Sequence, residues 1–218
     1  DYILGNHGLN SRFKASNERP VSCYIKDFDE NGVQDQIIST YNGDTSYPLA
    51  LRHDLTKQMP YLNKRFLKYE DYKLKTVEDI FTPEKLEDAV HQEVTYLESA
   101  VLWNTDNGFQ LQALPTEAQI SPVYAIHVQD FNKDGLPDLL LGGNLYEVKP
   151  EVGRYDASYG VCLLNQGGQG FKAVHNSAVD LKLDGQVRDI ESIKLGGEVL
   201  LLTAKNNDKV QAIAVNPK

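Results

Sequence analysis

The sequence predicts an all-β protein of four-stranded antiparallel blades of the β-propeller type, arranged as an incomplete ring with one α-helical insertion. Three observations predict it. An acidic segment between β-rich runs occurs twice, an Asn/Gly hairpin occurs twice, and helical periodicity is confined to one stretch. At 218 residues the chain is long enough for one large domain or two small ones.

The first repeated segment is CYIKDFDENGVQDQIIST from Cys23 to Thr40, matched by IHVQDFNKDGLPDLLLGG from Ile126 to Gly143. Each is an apolar-alternating run, a nine-residue acidic loop and a second β-rich run. The second repeat pairs VLWNTDNGFQLQAL (Val101 to Leu114) with CLLNQGGQGFKAV (Cys162 to Val174). Asn and Gly tolerate the positive φ of tight turns, so each reads as a hairpin leading to Phe109 or Phe171. Strand, acidic loop, strand, connection, strand, turn, strand makes four strands, the content of one propeller blade.

In chain order, residues 1–20 read as the end of a preceding blade, because DYILGN resembles DLLLGGN at Asp138 to Asn144. The sequence thus opens at the last position of an acidic loop and reads as a mature or trimmed piece of something longer. Residues 21–43 and 97–116 form the first expected blade with an acidic loop, interrupted by a helical insertion over 44–96. There Leu55, Met59, Leu62 and Phe66 share a helix face, Pro60 splits or kinks it, and Asp54 caps it. Thr82-Pro83-Glu84 starts a second helix leading to Leu86, Val90 and Val94. Residues 121–180 form the second such blade. Residues 185–218 form a last blade without an acidic loop, with turns at Gly196-Gly197 and Asn206-Asn207-Asp208.

DFDENGVQD and DFNKDGLPD both fit a calcium loop. Oxygen-bearing side chains stand at positions 1, 3, 5 and 9, Gly at 6 and a carbonyl at 7. The candidate ligands are Asp27, Asp29, Asn31, Val33 and Asp35, and Asp130, Asn132, Asp134, Leu136 and Asp138. Calcium takes six to eight oxygens, and a tight turn can aim several inward together. Three carboxylates per loop would repel one another without a cation. The bland alternative is a solvated Asx turn. The EF-hand pattern fails, because no Glu stands at position 12 and strands flank both loops. Oxygen-only ligands disfavour zinc and copper but not another hard cation.

These loops and hairpins resemble the FG-GAP/VCBS repeat of integrin-α-like β-propellers. The strings YPLALRHDLTKQMPYLNKRF, VEDIFTPEKL, SPVYAIHVQDF and VKPEVGRYDASYG extend the likeness towards the C-terminal portion of bacterial ASPIC/UnbV, cartilage-acidic-protein-like proteins. The resemblance implies a secreted, periplasmic or surface-anchored bacterial protein with calcium in its blade loops, further blades, and a role in adhesion or in binding a glycan or protein. The departures are Asn31 and Asn132 where the pattern has Asp.

Other functions find less support in the sequence. A net charge of −9 with no basic stripe disfavours nucleic acid, and no apolar run is long enough to span a membrane. Cys23 and Cys162 read as small core thiols, and Trp103 as a residue packed between sheets. No zinc-hydrolase, nucleophile-elbow or phosphate-loop motif occurs. Arg52-His53-Asp54 and Arg154-Tyr155-Asp156 with Tyr159 are the polar clusters that could bind a ligand. The catalytic alternative is the propeller part of a polysaccharide-processing enzyme, with a rim site near Arg52, His53, Arg154 and Tyr159. That reading requires those side chains to converge. A purely structural spacer is the third reading.

Overall fold

A computed structural model describes residues 1–179 and 181–214. Residue 180, at the end of the expected second blade, and 215–218, at the end of the last, lie outside the described residues. The strands are β1 (Tyr2–Leu4), β2 (Val21–Lys26), β3 (Asp35–Asn42), β4 (Thr45–Pro48), β5 (Val90–Val94), β6 (Ala100–Thr105) and β7 (Gly108–Ala113). They continue with β8 (Val123–Gln129), β9 (Asp138–Gly143), β10 (Val161–Asn165), β11 (Phe171–Val174), β12 (Val187–Leu195), β13 (Glu198–Lys205) and β14 (Gln211–Ala214). The helices are α1 (Arg52–Gln58), α2 (Tyr69–Tyr72), α3 (Val77–Ile80), α4 (Pro83–Glu87) and α5 (Asn176–Val179). All strand pairs between these elements are antiparallel, in four sheets of three or four strands.

The chain divides into two compact units. The first comprises Asp1–Arg12 and the residues from Leu97 onward, and the second comprises Phe13–Tyr96. The second therefore lies, in chain order, between β1 and β6, which pair with each other.

Three sheets make up the first unit: β1-β6-β7, β11-β10-β9-β8 and β12-β13-β14. They stack face to face, because β9 (DLLLGG) is apolar at every side-chain position after Asp138 and must bury both faces. Leu139 and Leu141 join Val101, Leu114 and Ile3 on one side. Leu140 joins Val187, Ile190 and Leu201 on the other. Trp103 lies between sheets as expected, stacked on Phe171 with ring centroids 6.0 Å apart. At the end of β9 a Cβ on Gly143 would lie 1.7 Å from the Pro122 carbonyl oxygen, so only glycine permits that approach. Cys162 is buried as expected, whereas Cys23 is only partly so.

Buried Asn144 knits these layers together. Its amide donates to the Ser158 and Gly185 carbonyls, and its Oδ1 accepts from Ser121 Oγ and Ser158 N. Every side-chain donor and acceptor of a buried amide is thereby used, which removes the penalty of burying it.

The second unit holds one sheet, β4-β3-β2-β5, covered by a helical segment. Leu55, Met59, Leu62 and Phe66 point into one core with Phe28, Ile37, Val77, Ile80 and Phe81. Pro60 does split the helix: α1 stops at Gln58 and a 3-10 turn runs over Pro60–Lys64.

Three expectations need correction. The strands of 21–43 do not pair with those of 97–116, since β2 and β3 pair with β5 and β4, while β6 and β7 pair with β1. Residues 44–96 are not wholly helical, because β4 and β5 lie at either end of the stretch. Val90 and Val94 belong to β5, where β-branched residues suit an extended partner for the open edge of β2. Asp54 lies inside the first turn of α1 rather than capping it, the N-cap being Leu51.

Candidate metal loops

Each acidic loop joins two paired strands and closes at the same register, Lys26 opposite Asp35 and Gln129 opposite Asp138. Position 1 folds the loop. Asp27 accepts from the N–H groups of Asn31 (3.0 Å) and Gly32 (2.7 Å), and Asp130 from those of Asp134 (3.2 Å) and Gly135 (2.9 Å). Position 9 locks it, for Asp35 Oδ2 takes the Phe28 N–H at 3.0 Å and Asp138 Oδ2 takes that of Phe131 at 2.9 Å. Position 5 turns the chain, with Asn31 Oδ1 and Asp134 Oδ1 accepting from the N–H groups of Val33 (2.7 Å) and Leu136 (2.8 Å).

Backbone torsions repeat as well. Position 4 has φ 61° at Glu30 and 62° at Lys133, and position 6 has φ 88° at both Gly32 and Gly135. Left-handed backbone at position 6 is where glycine is required. Two stretches 103 positions apart thus fold into one and the same turn.

In the first loop, oxygens of Asp27, Asp29 and Asp35 lie within 4.8 Å of one another. Asp29 Oδ1 is buried and accepts no hydrogen bond. A buried anionic oxygen without a donor is costly, and a hard cation bound by oxygens would satisfy it. Burial pushes the Asp27 carboxyl up, but the N–H groups of Gly32, Asn31 and Glu30 outweigh it and hold Asp27 below the usual carboxylate range. In the second loop Asn132 occupies position 3, and its amide donates to Asp134 Oδ2 at 2.8 Å.

The loops differ in what their ninth residue holds besides the turn. Asp138 is fully buried, and its Oδ1 accepts the Asn165 N–H of β10 at 2.8 Å. Asp35 Oδ1 accepts instead from Gln58 Nε2 at the end of α1. Lys85 of α4 donates to the Phe28 carbonyl at 2.6 Å and sits 4.7 Å from the centroid of the Tyr61 ring. The nine-residue motif reveals neither Gln58, Lys85 nor Asn165. Only Asn165 left a sequence signal, as a turn residue of the repeated hairpin.

The two polar clusters fall in different units. Arg52 and His53 belong to the second, and Arg154, Asp156 and Tyr159 to the first. Arg52 donates to the carbonyls of Phe66 (2.6 Å) and Leu67 (3.1 Å) and lies over Tyr69, so its guanidinium fastens the turn after the 3-10 segment. His53 Nδ1 lies 3.0 Å from the Tyr69 hydroxyl. Arg154 stacks over Tyr146, Asp156 is exposed, and exposed Tyr159 borders an open depression with Asn176, Leu181 and Lys182. Arg52 is thus used on local backbone, and His53 on a neighbouring side chain of the same segment.

No family model, curated protein or solved structure matches this chain. The likeness to FG-GAP/VCBS propellers rests on the loop and hairpin motifs themselves.

Proposed function

We propose that this chain is a cation-stabilised segment of an FG-GAP/VCBS-type β-propeller, acting without catalysis as a binding or scaffold module for a glycan or protein partner outside a bacterial cell. The observation that carries the reading is the repetition of one acidic turn, with the same left-handed residues at positions 4 and 6 and the same backbone bonds to the side chains of positions 1, 5 and 9, between paired strands of both units. The face-to-face stacking of three antiparallel sheets in the first unit supports the propeller part.

Asp27, Asp29, Asn31, Asp35 and the Val33 carbonyl would hold one calcium ion. Asp130, Asn132, Asp134, Asp138 and the Leu136 carbonyl would hold the other. The ion supplies positive charge among three carboxylates, and the loops in turn fix the strand ends and the surfaces that meet a partner.

The test is thermal unfolding with calcium, then with excess EGTA, then with calcium restored. A native-only ligand at a hundred times its Kd stabilises by about 2.7 kcal/mol, a rise of several degrees. Asp27→Ala and Asp130→Ala should each remove part of that rise. No rise, together with no bound metal by elemental analysis of untreated protein, would overturn the reading.

A further inference from the structure

Charge is unevenly spread along the chain. Residues 52–75, which span α1 and α2, carry seven Lys and Arg against three Asp and Glu, a net +4. The other residues carry 15 against 28, a net −13. The end of this basic segment borders an open cleft of about 280 Å³ in the second unit.

Two strands and one turn build the cleft. Thr40 of β3 faces Tyr47 of β4, and Asn42 follows two residues on, so strand alternation sets all three on one face of the sheet. Tyr72, Leu74 and Lys75 close the other side. Leu74 has φ 59° and is 68% exposed. Left-handed backbone is costly for a bulky residue, and an exposed one recovers nothing from core burial; such strain clusters where a ligand is gripped.

The polar groups of the cleft are not used by the fold. Among the described residues, the side chains of Thr40, Asn42 and Tyr47 make no hydrogen bond within the chain, and Lys75 makes no ion pair. Lys73, by contrast, is held by Glu70 at 3.1 Å. Two hydroxyls and an amide beside the apolar surfaces of Tyr72 and Leu74 match the hydroxyl rim and C–H faces of a sugar ring. One spare ammonium in a basic segment matches one anionic group on that ring, whereas a phosphate backbone is held by several cations.

We infer that this cleft binds an anionic sugar, with the ring against Tyr72 and Leu74 and its carboxylate or sulfate on Lys75. The inference rests on the binding-module reading above and names a ligand class for it, independently of the cation.

The test is calorimetric titration of the protein with trigalacturonate and with galactose 6-sulfate, which separate carboxylate from sulfate as the anion. Methyl-esterified trigalacturonate offers the rings without the charge, and tetraglutamate the charge without the rings. Either anionic sugar should bind roughly tenfold or more tighter than both controls. Lys75→Gln should weaken that binding by roughly tenfold, Lys75→Arg should retain it, and Lys73→Gln should change it by less than about threefold. Leu74→Gly suits the left-handed position, so it should weaken binding without lowering Tm. Equal affinity for acid and ester would overturn the inference, as would undiminished binding in Lys75→Gln. Tetraglutamate as the tightest ligand would also overturn it, and would leave the module with an acidic protein partner instead. Absence of binding by every probe, in protein that still shows the calcium shift in unfolding, would sink the sugar site and not the cation-stabilised module.

Discussion

The two acidic loops share a turn and differ in what the turn is fastened to. In the first unit, Asp138 spends its second oxygen on β10, a strand of the same sheet. In the second, Asp35 spends it on α1, and Lys85 of α4 adds a bond to Phe28. An identical local grammar thus tightens a sheet in one place and seats a helical cover in the other. Position 9 is the branch point, because it is the loop residue that also begins a strand.

The largest expected effect is at Asp138. Asp138→Ala leaves the part-buried Phe131 N–H and the buried Asn165 N–H unpaired, and should destabilise the first unit by about 2–4 kcal/mol in urea unfolding. Asp35→Ala should cost the second unit less, about 1–3 kcal/mol, because the residue released with Phe28 N–H is a side chain that can turn to water. Equal losses would erase the distinction between the loops. Gln58→Ala sharpens it further: a loss of about 1 kcal/mol is expected, with faster proteolysis of the helical segment and no change in the first unit.

A smaller effect weakens the second unit in alkali. Burial and the hydrogen bond to Glu78 push the Tyr24 hydroxyl up to about 12, and burial does the same for Tyr72, whose hydroxyl donates to the Ala50 carbonyl. Both lie in the second unit. Their neutral forms are favoured by folding, so this stability is whole below pH 10 and is lost as pH rises from about 10 to about 12. Absorbance of tyrosinate against circular dichroism should show the Tyr24→Phe, Tyr72→Phe double variant holding the second unit folded further into alkali.

The loops were legible because their information is local: nine residues carry the oxygen-bearing side chains, the glycine and the closing Asp. The Phe-bearing hairpins were legible for the same reason. Strand pairing was not, because both halves of the β1-β6-β7 sheet are readable, as DYILGN and VLWNTDNGF, yet a whole unit intervenes between them. Proximity in the sequence points β6 and β7 to the nearest acidic hairpin, whose edges are in fact taken by β4 and β5. Asn144 leaves no local signal, because its partners at Ser121, Ser158 and Gly185 come from three separate connections.

The placement of the second unit between paired strands also bears on the order of folding. Bringing β1 to β6 across an unstructured chain closes a loop of about 95 residues. Val21 opposes Val94, so once β2 and β5 pair, the two ends of that unit are already side by side. The remaining gap is about two dozen residues, and the entropy of closure falls by about 1 kcal/mol. Folding of the intervening unit first would therefore hasten the joining of β1 to β6. Its local unfolding would release β1 before any other strand of its sheet.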